Sequence, residues 1–558
     1  MRIICDWEPL GLCLVKAGSS TETIFGFSEF LSGFALLVIV YTITDFKYKF
    51  RVSVAPINLN IMTFIFIIFI GMGTLLSQLW VAKEWPTFVW NFSQVVWQSI
   101  FAFLFLFIIS LWIWFAFISP PKFSKNNYKI FSKKVYRAVL RGDVYELNVI
   151  SEELNYSLPM LIHHSNNRNK DNIDKHDISL YAEDMVLLLA NRRFCKSLAI
   201  SSPSTILCIF DTLSKSNVVN SSSISILIAN LSSELITNKE SQLYHEDEGY
   251  KSGLLGYIKP LSKSVYGNFR LVEDLSSKGR SPFDVDYKVK DNWDDEQLKV
   301  FCQAVTICFE SYIEQGCWYQ HSFTLYRAFD DIKGFIPNLY ELNGSNISLL
   351  NSQIINKFQV ILDFLRGLID VIDGQNNAPI CFQLRNKSLQ SQDMYCKIAT
   401  LYTECIHAAA YVSNPVDTCW FIQHNLVWSE LFDNNNEQSK AQKIIMHKVR
   451  RNVYDNILKF GQYPNYRTAR YIGFCLNVLW IKSHVVHKKD IGWALRKVVV
   501  AWVKQNYLTL FETNRVIAEA CLHGGLSFDE EKKAIIKTFQ SFTPGKLSED
   551  YFYLINEQ

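Results

Sequence analysis

The densest run of groups able to hold a hard cation or move a proton is His245, Glu246, Asp247 and Glu248, just ahead of a glycine-rich stretch. Sites for Mg²⁺ or Ca²⁺ draw their oxygens from spacings that let side chains converge, and four consecutive residues do not. A solvated acidic turn is the expectation here. Further on, SPFDVDYKVK sets Asp284, Asp286 and Lys288 in strand-like alternation, the arrangement in which two carboxylates and a lysine serve metal-dependent phosphodiester cleavage. That chemistry needs a sheet to mount it, and the neighbourhood offers little strand pattern. An enzymatic site, if the chain carries one, is expected among His245, Glu246, Asp247, Asp284, Asp286 and Lys288.

The histidines give weaker signals. His163, His164, His176 and Asp177 flank the polar stretch SNNRNKDNIDKHD, expected to be a mobile loop, whereas a metal site needs rigid support. His484 and His487 stand three apart, on one face of a helix, and Asp490, His447 or Cys475 would have to supply a third Zn²⁺ ligand. No Glu follows the first His in the metalloprotease manner. The chain has no GxxxxGK[ST] loop, no GxGxxG after a strand, no GxSxG elbow and no CxxC pair, which disfavours the common nucleotide-driven machines. No cofactor is called for.

The elements that must position any site begin with three apolar stretches, Ile24 to Thr44, Ile57 to Trp80 and Gln94 to Ile118. Each is long enough to cross a hydrocarbon core of about 30 Å as a helix. The second and third carry no charge, and the charge-free run around the third extends from Pro86 to Pro121. The first carries Glu29, expected about one and a half turns inside its leading end. An intramembrane carboxylate wants a donor, so Glu29 is expected to snorkel to headgroups or to meet Gln94 or Gln98 near the same boundary.

Lys and Arg in short flanks stay on the cytoplasmic side. Lys122, Lys125, Lys129, Lys133, Lys134, Arg137 and Arg141 follow the third stretch with no acidic residue before Asp143, and Lys47, Lys49 and Arg51 follow the first. The opposite flanks are balanced or nearly uncharged. The expected topology is a multi-pass inner-membrane protein with its N-terminus outside and its large C-terminal part in the cytoplasm. The seven-cation cluster sits where it would meet anionic lipid headgroups.

A net charge of +3 over 558 residues gives no case for nucleic acid. Eleven of the thirteen cysteines, from Cys195 to Cys521, are scattered without close pairing, as in a reducing compartment. The expected fold is all-α: an extracytoplasmic leader (1–23), a three-helix transmembrane region (24–118), a basic juxtamembrane linker (119–132), a helical subdomain (133–244), an irregular connection (245–293) and a helical C-terminal subdomain (294–558). Gly142 and Asp143 read as a helix stop and the next N-cap, so KKVYRAVLRGDVYELNVISEEL opens as a helical hairpin and resembles the start of an ankyrin-type unit. No such period recurs, although a hairpin array stays open. Ser202 and Pro203 start another helix. Asp294 and Gln297 can form a capping box ahead of Leu298, Phe301, Val305, Cys308 and Tyr312 on one face, and comparable helices are expected through Phe542.

This plan resembles, in architecture and through no residue motif, the membrane effectors of bacterial antiviral defence, in which a cytoplasmic sensor triggers spans that disturb the envelope. The resemblance implies a sensor or effector whose partners are the bilayer, further copies of itself and an unidentified cytoplasmic protein or signal. Three spans are too few for a monomeric carrier built on inverted repeats, so conduction would require oligomers. A membrane-tethered metal-dependent nuclease or hydrolase, and a passive docking scaffold, are the competing expectations.

Overall fold

The computed structural model describes residues 14–16, 24–88, 94–167, 177–216, 219–246, 249–254, 256–258, 260–318, 320–344, 352–375, 393–429, 439–479, 491–540 and 547–555. The chain is mostly helical and divides into two compact units, Met1–Leu231 and Ser232–Gln558.

In the first unit, strand β1 (Leu14–Lys16) precedes helices α1 (Phe27–Ile43), α2 (Phe46–Ser53) and α3 (Leu59–Ala82). Strand β2 (Pro86–Phe88) leads to α4 (Gln94–Ile113), which runs on as a π-helical turn, Trp114–Ile118. Two helices are long and apolar enough to cross a membrane, Leu59–Ala82 and Val95–Ile118, each of 24 residues. The first apolar stretch is shorter as a helix, 17 residues, and is bent by 107° into α2. Because α1 begins at Phe27, Glu29 lies in its first turn rather than one and a half turns inside.

The apolar helices interlock through glycine. A Cβ at Gly33 would come within 2.8 Å of the Phe105 ring, one at Gly71 within 2.8 Å of Phe30, and one at Gly73 within 2.4 Å of Phe101. Rings seat in these sockets and bury Phe30, Ile70, Phe101 and Phe105, the close approach by which helices associate where lipid removes any hydrophobic drive. Phe64, Phe69, Phe103 and Leu106 face outward and are more than half exposed, an apolar surface compatible with a membrane.

Helices α5 (Tyr128–Arg141), α6 (Val144–Glu153), α7 (Leu158–Asn166), α8 (Ile178–Leu189), α9 (Arg192–Ser201), α10 (Pro203–Lys215) and α11 (Ser222–Thr237) follow. Gly142 ends α5 in the left-handed conformation (φ 68°), where any other residue would be strained, and Asp143 caps α6 by accepting from Tyr145 and Glu146 N–H. Pro203 is the first residue of α10, as its fixed φ and missing N–H favour. Of the expected mobile loop, residues 168–176 lie outside the described residues.

The second unit is also helical at its centre. Asp294 and Gln297 exchange capping bonds of 3.0 Å, and the helix Asp295–Glu314 buries Leu298, Phe301, Val305, Cys308 and Tyr312 against Gln353–Gly374. Between 245 and 293 the breaks separate a two-stranded ribbon, β3 (Tyr250–Ser252) with β4 (Gly256–Ile258), from short helices Leu261–Tyr266, Phe269–Ser277 and Tyr287–Lys290. The expectation of helices through Phe542 is corrected. Strands β5 (Leu526–Asp529), β6 (Ala534–Gln540) and β7 (Leu547–Tyr553) form an antiparallel sheet. Gly524 and Gly525, at φ 66° and 83°, break the preceding helical run, and the β-branched Ile535, Ile536 and Thr538 favour a pleated surface.

Candidate functional site

Polar side chains gather at both ends of the apolar helices of the first unit. At one end, β1 pairs antiparallel with β2, so the leader and the α3–α4 connection share that end. Gln98 of α4 is fully buried there, and its Oε1 accepts from the N–H of Ile24 (2.9 Å) and Phe25 (3.4 Å), donors that precede α1. Its Nε2 has no hydrogen-bond partner among the described residues. Glu29 accepts from Gly26 N–H at 2.8 Å, a capping bond that also sets a carboxylate against the positive end of the α1 dipole. Gln78 of α3, which the sequence reading passed over, joins them: its Nε2 and Glu29 Oε2 lie 2.3 and 2.9 Å from the point a Gly26 Cβ would occupy. The structure therefore brings Glu29 and Gln98 to the same helix start. Gln94 opens α4, and its side chain lies outside the described residues.

The opposite end is held by charge. Arg51, at the last turn of α2, donates from Nε and Nη2 to the two carboxylate oxygens of Glu153 on α6, both at 2.7 Å, and from Nη1 to the Ala116 carbonyl at 2.8 Å. A π turn leaves carbonyls without their usual i+4 partner, and Ala116 lies within one, so a single guanidinium joins α2, the end of α4 and α6. Both side chains are nearly enclosed, at 11% and 4% exposure, and the Glu153 hydrogen bond raises the Arg51 pKa. Lys47 adds longer contacts to Glu152 and Glu153. Buried Asn127 ties the α5 start to the chain after α2, donating to Val54 and Lys122 carbonyls at 2.9 Å each. Tyr145 donates to Asp45 at the α1–α2 corner. Arg51 entered the sequence reading only as a topology marker. Its partner lies 102 residues away, a separation no local pattern reveals.

The basic cluster lies beside this joint. Lys122, Lys125, Lys129, Lys133, Arg137 and Arg141 are exposed and Lys134 half-buried.

Three of the residues considered for an enzyme, Glu246, Asp284 and Asp286, accept hydrogen bonds from nearby backbone N–H groups. Glu246 accepts from Ser262 N–H at 3.0 Å; Asp247 and Glu248 lie outside the described residues. Asp284 accepts from Ser281 N–H at 2.8 Å and pairs with Arg327 at 3.0 Å. Asp286 caps the short helix Tyr287–Lys290, and Lys288 on it is exposed, so the expected strand-like alternation is a turn and a helical turn: the carboxylates pay for backbone N–H groups that a strand would have paired. His163 and His164 lie on α7, with His163 beside the Asn167 amide. His447 contacts Arg450, Cys475 is buried with its thiol pushed up to about 12, and His176, His484, His487 and Asp490 lie outside the described residues. Among the described residues no three His, Cys, Asp or Glu are grouped to hold a metal.

In the second unit two lysines are buried without a sequence signal. Lys448 donates to Asp393 at 2.7 Å and lies 3.1 Å from Cys396 Sγ, beside a cavity of about 210 Å³ lined by Lys333, Lys397 and Thr400. That volume falls short of the roughly 300 Å³ at which small-molecule sites begin. Lys537 on β6 donates to the Asn477 carbonyl at 2.6 Å and lies 5.0 Å from the Trp420 ring; burial pulls its ammonium down to about 8.

No family model matches this chain, and no curated protein matches it. One solved structure that aligns is the crystal structure of an engineered protein, 10% identical, covering 72% of this chain and 96% of its own, with a TM-score of 0.18. A likeness that slight carries no argument.

Proposed function

We propose that the chain is a membrane-anchored sensor or effector whose spans cross an inner membrane three times, with the N-terminus outside and the helical domain cytoplasmic. The observation that carries this reading is the Arg51 clamp. A passive tether would need only a flexible linker, whereas here α2, between the first two apolar helices, and the end of α4 are fixed to α6 by a bidentate charge pair and a backbone carbonyl. A change in the helical domain would reach the spans through a rigid joint.

Three features support the third crossing. The β1–β2 ribbon and the Arg51 joint lie at opposite ends of the apolar helices, which fits an odd number of passes between them. At about 1.5 Å per residue the 17 residues of α1 reach about 26 Å, close to a hydrocarbon core. The cationic flanks fall on the joint side, in keeping with a cytoplasmic face.

On this reading, assembly of several copies perturbs the membrane, in the manner of a defence effector. Expression in bacteria with a potential-sensitive dye tests it, under overexpression and under phage challenge. The wild type should depolarise the cells, and Glu153→Gln at equal expression should do so less. A steady potential in the wild type under both conditions would remove the effector reading and leave a docking scaffold.

A further inference from the structure

We infer that the outward face of α5 is an interfacial lipid-binding surface that takes anionic headgroups and seats aliphatic and aromatic side chains among the upper acyl chains. The proposal deepens the membrane reading above and rests on it.

Three observations place and equip this face. First, the start of α5 and the start of α6 just beyond it are both tied to the chain around α2. Asn127 bonds the Val54 carbonyl just after α2, and Tyr145, two residues beyond the Gly142–Asp143 turn, bonds Asp45 just before it. Since α2 runs at 107° to α1, it lies across the span direction, and α5 lies alongside it at the level where the chain leaves the bilayer. Second, the buried side of α5 is fully engaged: Phe131, Val135, Ala138 and Val139 point inward, with Phe131 against the Phe50 and Phe123 rings and Tyr128 against Tyr181.

Third, the remaining face mixes two chemistries. At 100° per residue, Lys129, Lys133 and Arg137 share it with Ile130, Tyr136 and Leu140. Leu140 is 62% exposed and Tyr136 51%, and Val144 beyond the turn is 70% exposed. The water-facing side of an ordinary helix is mostly charged and polar, and a protein-docking helix loses charge at its centre. Cations interleaved with an aliphatic and an aromatic side chain are what a helix in the plane of a bilayer presents. The cations also repel a second copy of the same face, which sets lipid ahead of self-association.

The full-length protein, purified in detergent and reconstituted into vesicles, tests this with a benzophenone amino acid at Leu140 and, as control, at Leu207 of α10. In phosphatidylcholine vesicles containing phosphatidylglycerol, irradiation should attach lipid at position 140 and not at 207. Lys133→Gln with Arg137→Gln, both at exposed positions, should cut the yield by about tenfold or more, since each surface cation contributes roughly fivefold. Pure phosphatidylcholine should give a similar loss. Cross-linking of Leu140 to a protein chain, or equal lipid yield in both vesicle types, overturns the inference. Carbonate extraction separates the two levels: a protein stripped from vesicles sinks the membrane reading itself, while one that stays but gains no lipid adduct at 140 sinks only this surface.

Discussion

The two ends of the apolar helices are stitched by different chemistry. At the β1–β2 end the bonds are amide to backbone, through Gln98, with Glu29 acting as a cap. At the other end a guanidinium on α2 joins the end of α4 to a carboxylate on α6. A neutral amide bond can be broken and remade at small cost, whereas separating a buried ion pair exposes an uncompensated charge. The charged end is therefore the one suited to pass a displacement on, and the neutral end the one suited to give.

The sharpest way to break the contrast is Glu153→Gln, which strands Arg51. Unfolding in detergent micelles should show a loss of about 3–5 kcal/mol. Arg51→Met combined with Glu153→Met should recover most of it, because an apolar pair of similar volume avoids the stranded charge; a double variant as unstable as the single would refute the ion-pair account. Lys537 extends the comparison to a buried cation held by a carbonyl and a ring. Its folded pKa is depressed from 10.5 to about 8. Between those values the unfolded chain binds the proton and the folded chain does not, so stability rises with pH through that window, by up to about 3 kcal/mol. Lys537→Met should flatten the rise seen in thermal unfolding between pH 8 and roughly 10.

At the neutral end, Gln98→Leu should cost about 1–3 kcal/mol, since the Ile24 and Phe25 donors lose their acceptor while the orphaned Nε2 is removed with it. A loss as large as that of Glu153→Gln would erase the distinction. Gly73→Ala drives a methyl into Phe101 and should destabilise by about 1–3 kcal/mol. The smallest effect, about 1 kcal/mol, belongs to Asp143→Ala, which removes the α6 cap without touching either end.

Local signals were legible. The apolar runs, the Gly142–Asp143 break, Pro203 and the Asp294–Gln297 box all depend on residues within a turn of one another, and each formed the element its chemistry favours. Pairings across the chain were not. Arg51 and Glu153 are unremarkable in their own segments, and Gln78, within an apolar run, comes beside Gly26 and Glu29 only through the packing of α1 on α3. The C-terminal sheet was missed because KKAIIKTF is a short apolar run that fits either period; the Gly524–Gly525 pair and the β-branched residues were the arbitrating signs. The alternation of Asp284 and Asp286 comes from two consecutive turns, in keeping with the weak strand pattern around them.

The phenylalanine sockets fix how the first unit can move. A slip of one helical turn, about 5.4 Å, would carry the Phe30 ring from Gly71 onto Ile67 or Leu75, and the Phe101 ring from Gly73 onto Phe69 or Ser77. Each of these one-turn slips meets a side chain where the ring must go, so the sockets oppose sliding of the helices past one another by a turn.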